Sequence, residues 1–243
     1  MRIGAQVGLV LLAASVAGCQ GPHVSGSGRQ IEEERTTPVF TRLEIEDGIG
    51  AYIEVDPDKP HSVRLVGDDN LVALMRTEHS GSRLKVHFPD HEIDSWDSPN
   101  ALRVDIVVPS LEALGRSGGG ALVDVSGTVD AEVFELSASG GGQIRLRGLR
   151  SDALEMSLSG SSNVILEGVA TRLNASLSGA SRVTGRELST RDATLSTSGG
   201  GHVVLQVSQT LRVSASGGGR LQIIGHPEVL ERDLSGGSTL TFE

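Results

Sequence analysis

The side chains best suited to chemistry lie in an acidic loop between residues 89 and 100 and just before it. The candidates are His87, His91, Asp94, Trp96 and Asp97. Histidine with carboxylate can bind zinc or calcium, so His87 and His91 are candidate metal ligands. The proline between them argues against a helical pair, and a solvated acidic loop without metal is the favoured interpretation. Trp96 would either cap one end of the fold or, with Asp94 and Asp97, contact a ligand.

A second set of polar residues recurs at regular spacing. It comprises Ser137, Ser157, Ser176, Ser196 and Ser214. None of these serines lies in a Gly-x-Ser-x-Gly elbow and no histidine recurs with them, so we expect stacked hydroxyls that hydrogen-bond to one another and to the backbone rather than nucleophiles. The glycine triplets that start at positions 118, 140, 199 and 217 lack the lysine and helix of a phosphate loop and the aspartates of a calcium-binding β-roll. They are predicted to form tight corners.

Paired carboxylates are what a polysaccharide-acting enzyme would need. Glu135 and Glu155 occupy matching positions in adjacent repeats, but Asn174 and Thr194 interrupt the column. Grooves that bind sugars also use aromatic stacking, and the chain has six aromatic residues. We therefore expect no enzymatic activity, and keep a polysaccharide-acting β-helix enzyme as the alternative.

The only cysteine of the chain is Cys19. It follows an apolar stretch that is too short to span a bilayer, and Val16-Ala17-Gly18-Cys19 resembles a bacterial lipobox. This predicts a lipoprotein signal peptide over residues 1–18 and lipidation of Cys19, which leaves no thiol for a disulfide, a metal or catalysis. Gln20 in place of aspartate favours the outer membrane of a Gram-negative cell, by resemblance to the enterobacterial sorting rule.

The elements that would position these side chains are repeats. Ser-Gly followed by two small residues begins at positions 117, 139, 159, 178, 198, 216 and 235, with offsets of 18 to 22 residues. Before each copy, apolar and polar residues alternate with a period of two, as in Leu173, Ala175 and Leu177, which indicates a strand with one buried face. A second short strand follows each glycine corner. The pattern predicts an all-β, single-stranded β-helix or solenoid with coils of about 20 residues.

The remaining chain is less regular. Residues 19–37 are rich in glycine, serine and glutamate and are predicted to be a flexible linker. Residues 38–110 alternate like strands but with longer excursions, either as the same solenoid or as an N-terminal β cap, and residues 111–243 hold the Ser-Gly coils. The formal net charge of −10 and the scattered arginines argue against nucleic acid as a partner. No cofactor is expected.

The sequence also carries a family resemblance. Phe40-Thr41-Arg42-Leu43 leads into Asp47-Gly48-Ile49-Gly50-Ala51-Tyr52, and Asp69-Asn70-Leu71 and Pro109-Ser110-Leu111 follow. With the Ser-Gly repeats and the segment Gly225-His226-Pro227-Glu228-Val229, these motifs resemble the putative auto-transporter adhesin, head GIN domain family. The resemblance implies a β-helix-like domain over residues 38–243, exported to the bacterial envelope, and supplies no catalytic residue. No membrane-barrel segment is seen, so the lipid anchor would replace autotransport.

We therefore predict a lipid-anchored envelope protein that presents its surface for adhesin-like contact with an envelope protein or a glycan. The patch is expected around the 89–100 loop or on the polar strand faces. An envelope-stress interaction partner is a further alternative, and the sequence leaves the oligomeric state open.

Overall fold

The computed structural model describes residues 22–90 and 92–243, which form an all-β solenoid of about six turns. The predicted fold class is confirmed. The N-terminal part contains β1 (His23–Ser25), β2 (Gln30–Glu34), β3 (Arg42–Ile45), β4 (Gly50–Val55), β5 (Ser62–Asp68), β6 (Arg76–Ser80), β7 (Arg83–His87), β8 (Ser95–Asp97) and β9 (Arg103–Val108). A short helix, α1 (Asp69–Val72), follows β5.

The repeat region supplies the remaining strands. These are β10 (Ala113–Arg116), β11 (Leu122–Gly127), β12 (Val129–Ala138), β13 (Gly141–Gly179), β14 (Arg182–Gly199), β15 (His202–Gly217), β16 (Arg220–Ile224), β17 (Glu228–Leu234) and β18 (Thr239–Phe242). The longest of them bend through corners without losing their pairing, so β13 runs through most of two coils. The one helix among the described residues, α1, has four residues and cannot span a membrane.

Parallel stacking of like residues builds the core. Leu173, Ala175 and Leu177 of one coil pair with Ala193, Leu195 and Thr197 of the next, and their side chains fill the interior. The residues between them, such as Asn174 and Ser176, point to solvent. Because side chains alternate along each strand, this register repeats the same inside and outside columns in successive coils.

Each Ser-Gly copy forms a corner. Gly160, Gly179, Gly199 and Gly217 all have positive φ, between +89° and +118°. They lie directly above one another, so that a Cβ on Gly179 would lie 2.5 Å from the carbonyl oxygen of Gly160. Glycine is therefore required at this corner both by backbone conformation and by the closeness of the stacked coils.

One interior column carries a charge. Arg116 lies in register with Ile45 and Ala138 and is only 4% exposed. Its Nη1 donates to the carbonyl oxygen of Gly141 at 2.7 Å, and burial lowers the pKa of the guanidinium. The lack of a side chain at Gly142 makes room for it, because a Cβ there would overlap the guanidinium.

The first coils are not stacked in chain order. β3 and β4 form the second coil, whereas the later strands β7 and β9 pair on their outer side and form the end coil. β10 and β11 then pair on the inner side of β3 and β4. Antiparallel β6 covers the edge of β7, and β5 followed by β2 covers β9. The N-terminal part thus contains both solenoid coils, formed by β3, β4, β7 and β9, and a β cap, formed by β2, β5 and β6. The sequence alone suggests these as alternatives.

The structure corrects the flexible linker predicted over residues 19–37. β1 pairs with β8, and β2 pairs with β5, so most of this segment is built into the cap. Serine and glycine suggested flexibility, but these polar side chains bond to the body: the Ser27 hydroxyl donates to Asp69, and the Ser25 hydroxyl donates to Asp97. Residues 19–21, with Cys19, lie outside the described residues. We call residues 22–30 the N-terminal strap.

The C-terminal coil ends the stack without a covering strand among the described residues. In β17, Arg232 takes the register position of the interior residue Val213 but remains exposed. A charged residue at an inward position of an edge strand opposes the addition of another coil.

Candidate functional site

A cleft of about 720 Å³ opens between the 89–101 loop and the first coils. Its walls come from the 93–103 stretch, from Tyr52 on β4 and from the glycine corner at residues 118–122. We call it the loop cleft. Three of the six aromatic residues of the chain line it: Tyr52, Phe88 and Trp96. Concave sites that combine aromatic surface with a few polar groups are where proteins usually bind small ligands.

Asp47 organises one end of this cleft. It has a φ of +56°, the only positive value for a non-glycine residue among the described residues. Its carboxylate Oδ2 accepts the Phe88 backbone N–H at 2.8 Å, and its carbonyl oxygen accepts the indole N–H of Trp96 at 2.9 Å. Asp47 thereby holds both Phe88, which follows β7, and Trp96 of the loop, and the two rings meet edge-on with centroids 6.3 Å apart.

The N-terminal strap holds the loop from the other side. Pairing of β1 with β8 places Val24 opposite Trp96, and both side chains pack against the core. His23 Nε2 lies 2.7 Å from Asp97 Oδ1. Hydrogen bonds from Ser25 and His23 lower the pKa of the Asp97 carboxyl.

A buried carboxylate anchors the end of the loop. Asp68 is fully buried, and its Oδ2 accepts the Ser98 hydroxyl at 2.8 Å while its Oδ1 accepts the Asn100 side-chain amide. The hydrogen bonds from Asn100 and Ser98, with one from the Gly28 backbone, lower the pKa of this carboxyl against the opposing effect of burial. Asp68, which directly precedes α1, thus connects the loop and the strap through hydrogen bonds to its side chain.

The open wall of the cleft offers an aromatic face. The Tyr52 side chain points outward from β4, and the residue is 50% exposed. The guanidinium of Arg103 lies 5.5 Å from its ring centroid, in cation–π contact. Arg103 is also paired with Asp105 at 2.9 Å, so its position beside Tyr52 is fixed.

Of the residues predicted as binding candidates, Asp94 and Trp96 line the loop cleft, whereas Asp97 lies outside it and bonds to the strap. The predicted metal pair is only half described, because His91 lies outside the described residues. Among the described residues, the histidine, aspartate and glutamate side chains close enough to share a metal ion are Glu46, Asp47 and His87. The carboxylate partners of His87 therefore come from the second coil and not from the acidic loop.

A second concavity, the strand groove, follows the polar face of the Ser-Gly strands. It has about 730 Å³ and is lined by the outer columns that include Glu135, Ser137, Glu155 and Ser157. Glu135 and Glu155 lie in register on adjacent coils, as the sequence predicted. The carboxylate of Glu135 pairs with Arg42, and that of Glu155 accepts the Asn174 amide at 2.7 Å.

Sequence reasoning missed Asp47, Tyr52 and Arg103 as site residues. By strand register Glu46 and Asp47 occupy the places of Ser117 and Gly118 in the repeat coils, so the available signal was an aspartate beside Gly48 where those coils have Ser-Gly. Tyr52 and Arg103 carry no local signal, because their proximity depends on β9 pairing beside β4.

The comparisons agree with this architecture. The sequence model of a family described as "Putative auto-transporter adhesin, head GIN domain" matches residues 39–227. Similar solved structures include a putative lipid binding protein from Parabacteroides distasonis (19% identity, 91% of this chain and 100% of that chain, TM-score 0.75) and a putative adhesin from Bacteroides fragilis (18%, 90% and 98%, 0.76). A putative adhesin from Parabacteroides merdae is similar as well (15%, 91% and 99%, 0.67). At these identities the likeness shows the fold. No curated protein matches the chain.

Proposed function

Because this chain belongs to the putative auto-transporter adhesin, head GIN domain family, we propose that it is a non-catalytic, lipid-anchored protein of the bacterial cell envelope whose loop cleft binds a glycan. The observation that carries the proposal is the aromatic face of Tyr52, half exposed on the wall of a cleft of about 720 Å³. Sugars present apolar C–H faces and hydroxyl rims, and an aromatic ring with nearby polar groups matches both.

The polar groups around this ring are of the matching kind. Ser95, Ser98 and Asn100 line the cleft, and Arg103 adds a guanidinium. The Ser98 hydroxyl and the Asn100 amide already bond to Asp68, so they shape this wall. Ser95 and Arg103 are the side chains that we propose to contact the ligand. The backbone of the glycine corner forms the facing wall, where Gly119 and Gly120 have open space around them. Such a wall lets a ring-shaped ligand approach the main chain closely.

The proposed anchor would place this cleft near the membrane. Four residue steps separate Cys19 from His23, the first residue of β1, and they span at most about 14 Å. Because β1 pairs with β8, Trp96 and the loop cleft belong to the end of the solenoid nearest the anchor. The glycan that best fits this geometry is one displayed close to the membrane surface of the envelope.

Binding can be followed through Trp96, the only tryptophan of the chain. We expect an array of envelope polysaccharides and oligosaccharides to give a hit that also changes Trp96 fluorescence on titration. Tyr52→Ser should weaken that binding by about tenfold, the equivalent of ~1.4 kcal/mol. Phe242→Ser is the matched control, since Phe242 is also an exposed aromatic residue but lies on the last strand. Equal affinity of the two variants would place the ligand elsewhere, and an array without a hit would refute glycan binding.

The anchor is tested separately. Intact-mass analysis and membrane fractionation of the native protein should show acyl chains on Cys19, and Cys19→Ala should release the protein from the membrane fraction. An unlipidated, freely soluble wild type would remove the anchor while leaving the glycan experiment unaffected.

The paired glutamates of the strand groove favour a second candidate, a polysaccharide-acting enzyme. The groove brings Glu135 and Glu155 together on adjacent coils, as such an enzyme requires. Glu135 forms an ion pair with Arg42, and Glu155 accepts a hydrogen bond from Asn174. Because each carboxylate already has a structural partner, the groove is better suited to binding a ligand than to catalysing its hydrolysis. Release of reducing ends from an envelope polysaccharide, abolished by Glu155→Gln, would establish the enzyme instead.

A further inference from the structure

We propose that Glu46, Asp47 and His87 form a binding site for a divalent transition metal, with zinc as the best-fitting ion, and that the metal fixes the loop bearing Trp96. One candidate ligand atom from each of the three residues lies within 4.8 Å of the others. Two ligands that are bound tetrahedrally at about 2.1 Å from zinc are about 3.4 Å apart, so rotamer adjustments of roughly 1 Å would close the site.

Strand pairing brings these residues together. β3 and β7 are parallel neighbours with Ile45 opposite Val86, and the Glu46 N–H donates to the Val86 carbonyl oxygen at 3.0 Å. Continuing the register by one residue sets Glu46 beside His87, with Asp47 at the following corner. The backbone that carries all three ligands is therefore the paired end of two coils, which is rigid enough to hold a site.

The hydrogen bonding of His87 leaves one ring nitrogen available for a metal. Its Nδ1 lies 2.6 Å from the Phe88 carbonyl oxygen, and because a carbonyl can only accept, Nδ1 carries the proton. In the neutral ring Nε2 then presents its lone pair, as in metal-ligating histidines whose other nitrogen donates to a carbonyl group.

The Nε2 atom is buried without a hydrogen-bond partner, on a residue that is 5% exposed. The Glu78 carboxylate lies 3.3 Å from it, outside hydrogen-bond geometry. A buried nitrogen without a hydrogen bond costs about 1–3 kcal/mol. An ion pair of the protonated ring with Glu78 would offset part of that cost, whereas a bound metal would satisfy the nitrogen directly.

The donor set indicates the class of ion. One imidazole nitrogen with two carboxylates, and Glu78 as a further carboxylate at the edge, suits zinc better than calcium, which takes oxygen ligands only. Lys85 is the competing cation, since its Nζ lies 2.9 Å from Glu46 Oε2. Zinc binding through the other oxygen of Glu46 leaves that pair intact.

The consequence for the loop follows from Asp47. This residue holds the Phe88 N–H with its side chain and the Trp96 indole with its carbonyl group, and it has a positive φ. A non-glycine residue in this conformation persists only where its surroundings hold it. A metal on its carboxylate would hold it, and would thereby order the loop and its tryptophan.

The test uses the full mature chain after dialysis against EDTA. Zinc should bind at one ion per chain, raise the melting temperature in a concentration-dependent way and change Trp96 fluorescence. Calcium at equal concentration should produce none of these three responses. Cobalt(II) should give the visible absorption of a low-coordinate site with nitrogen and oxygen ligands. His87→Gln should abolish these responses and Glu46→Gln should weaken zinc binding at least tenfold.

His79→Gln is the matched control, because His79 is exposed on the neighbouring strand β6. It should bind zinc like the wild type. Glu46→Gln keeps the test decisive if His87→Gln does not fold, since Glu46 is only half-buried. The proposal would be overturned if zinc did not change the melting temperature of the wild type, or if Glu46→Gln bound zinc with unchanged affinity.

Discussion

Replacing Gly179 by alanine should destabilise the solenoid, whereas the same replacement at Gly200 should not. The two glycines lie in adjacent corners, and the Gly200 N–H donates to the Gly179 carbonyl oxygen at 3.0 Å. They differ in conformation and in space. Gly179 has a φ of +93° and faces the Gly160 backbone, whereas Gly200 has no positive φ and no atom within 4 Å of a Cβ built on it.

The magnitude follows from two terms. An alanine in the left-handed region costs about 1–2 kcal/mol. Its Cβ would also lie 2.5 Å from the Gly160 oxygen and 3.1 Å from the Gly160 nitrogen, so the stacked backbones must move apart, and overpacking of this kind costs about 1–3 kcal/mol. Gly179→Ala should therefore lose about 2–5 kcal/mol. Gly200→Ala should gain up to about 1 kcal/mol, because alanine restricts the unfolded chain.

Thermal and urea unfolding followed by far-UV circular dichroism would measure the difference. At about 2–4 °C per kcal/mol for a chain of this length, Gly179→Ala should melt roughly 4–20 °C below the wild type. Hydrogen exchange should locate the loss in the coils that flank residue 179 if the solenoid opens locally. Equal losses in the two variants would refute the inference that stacked corners, rather than glycine content, hold the coils together.

Two further predictions concern the core and the strap. Leu177→Asp should unfold the solenoid cooperatively, because it buries an unpaired charge at a position that is 4% exposed. Asn174→Asp on the outer face should change the melting temperature by a few degrees at most. Comparable losses of stability in the two variants would contradict the assignment of buried and exposed faces. Acid should detach the strap from the body at a higher pH than it unfolds the repeat coils. The pKa values of the Asp68 and Asp97 carboxyls are lowered in the folded chain. The stability that these carboxylates contribute is therefore present above the unfolded pKa of about 4 and is lost as the pH falls through the lower folded values. Proteolysis near residues 22–30 should then increase below about pH 4 while the repeat amides stay protected, and Asp68→Asn should show the same release at neutral pH.

The repeat region could be predicted from the sequence because each coil obeys the same local rule. Period-two alternation assigned Leu173, Ala175 and Leu177 to the interior, and Ser-Gly marked the corner at Gly179. In a solenoid each coil contacts its neighbours in chain order, so local pattern and tertiary contact coincide. Arg116 is the exception: it sits at an interior position that the period alone would give to an apolar residue.

The N-terminal part could not be predicted in the same way, because its coils are not stacked in chain order. β3 pairs with β7, some forty residues later, and β4 pairs with β9 across a still longer separation. The alternation of apolar and polar residues predicts each of these strands but does not predict which other strand it pairs with. The strap was misjudged for a related reason: serines and glycines suggest a linker until the partners of Ser25 and Ser27 are known.

The carboxylate, imidazole and aromatic residues of the candidate site lie at the end of the solenoid where the coils are not stacked in chain order. The stacked corners of the coils explain this location. Gly118 stacks on Asp47 and Gly48, since a Cβ on Gly118 would lie 2.4 Å from the Gly48 nitrogen and 2.9 Å from the Asp47 carbonyl carbon. Asp47 therefore holds the position that glycine fills in the later coils, with the same sign of φ.

A side chain is tolerated at Asp47 because the next coil outward differs from all the others. There the neighbour is Phe88, whose N–H bonds to the carboxylate, and the chain then leaves the stack as the 89–101 loop. In the interior of the stack a side chain at this corner would collide with the coil before it, as the close approaches at Gly140, Gly160 and Gly179 show. The periodic coils thus exclude side chains from their corners. Among the described residues, carboxylate, imidazole and aromatic groups meet at a corner only where the second coil faces the end coil. The same steric rule that makes the solenoid regular confines the candidate site to its N-terminal end.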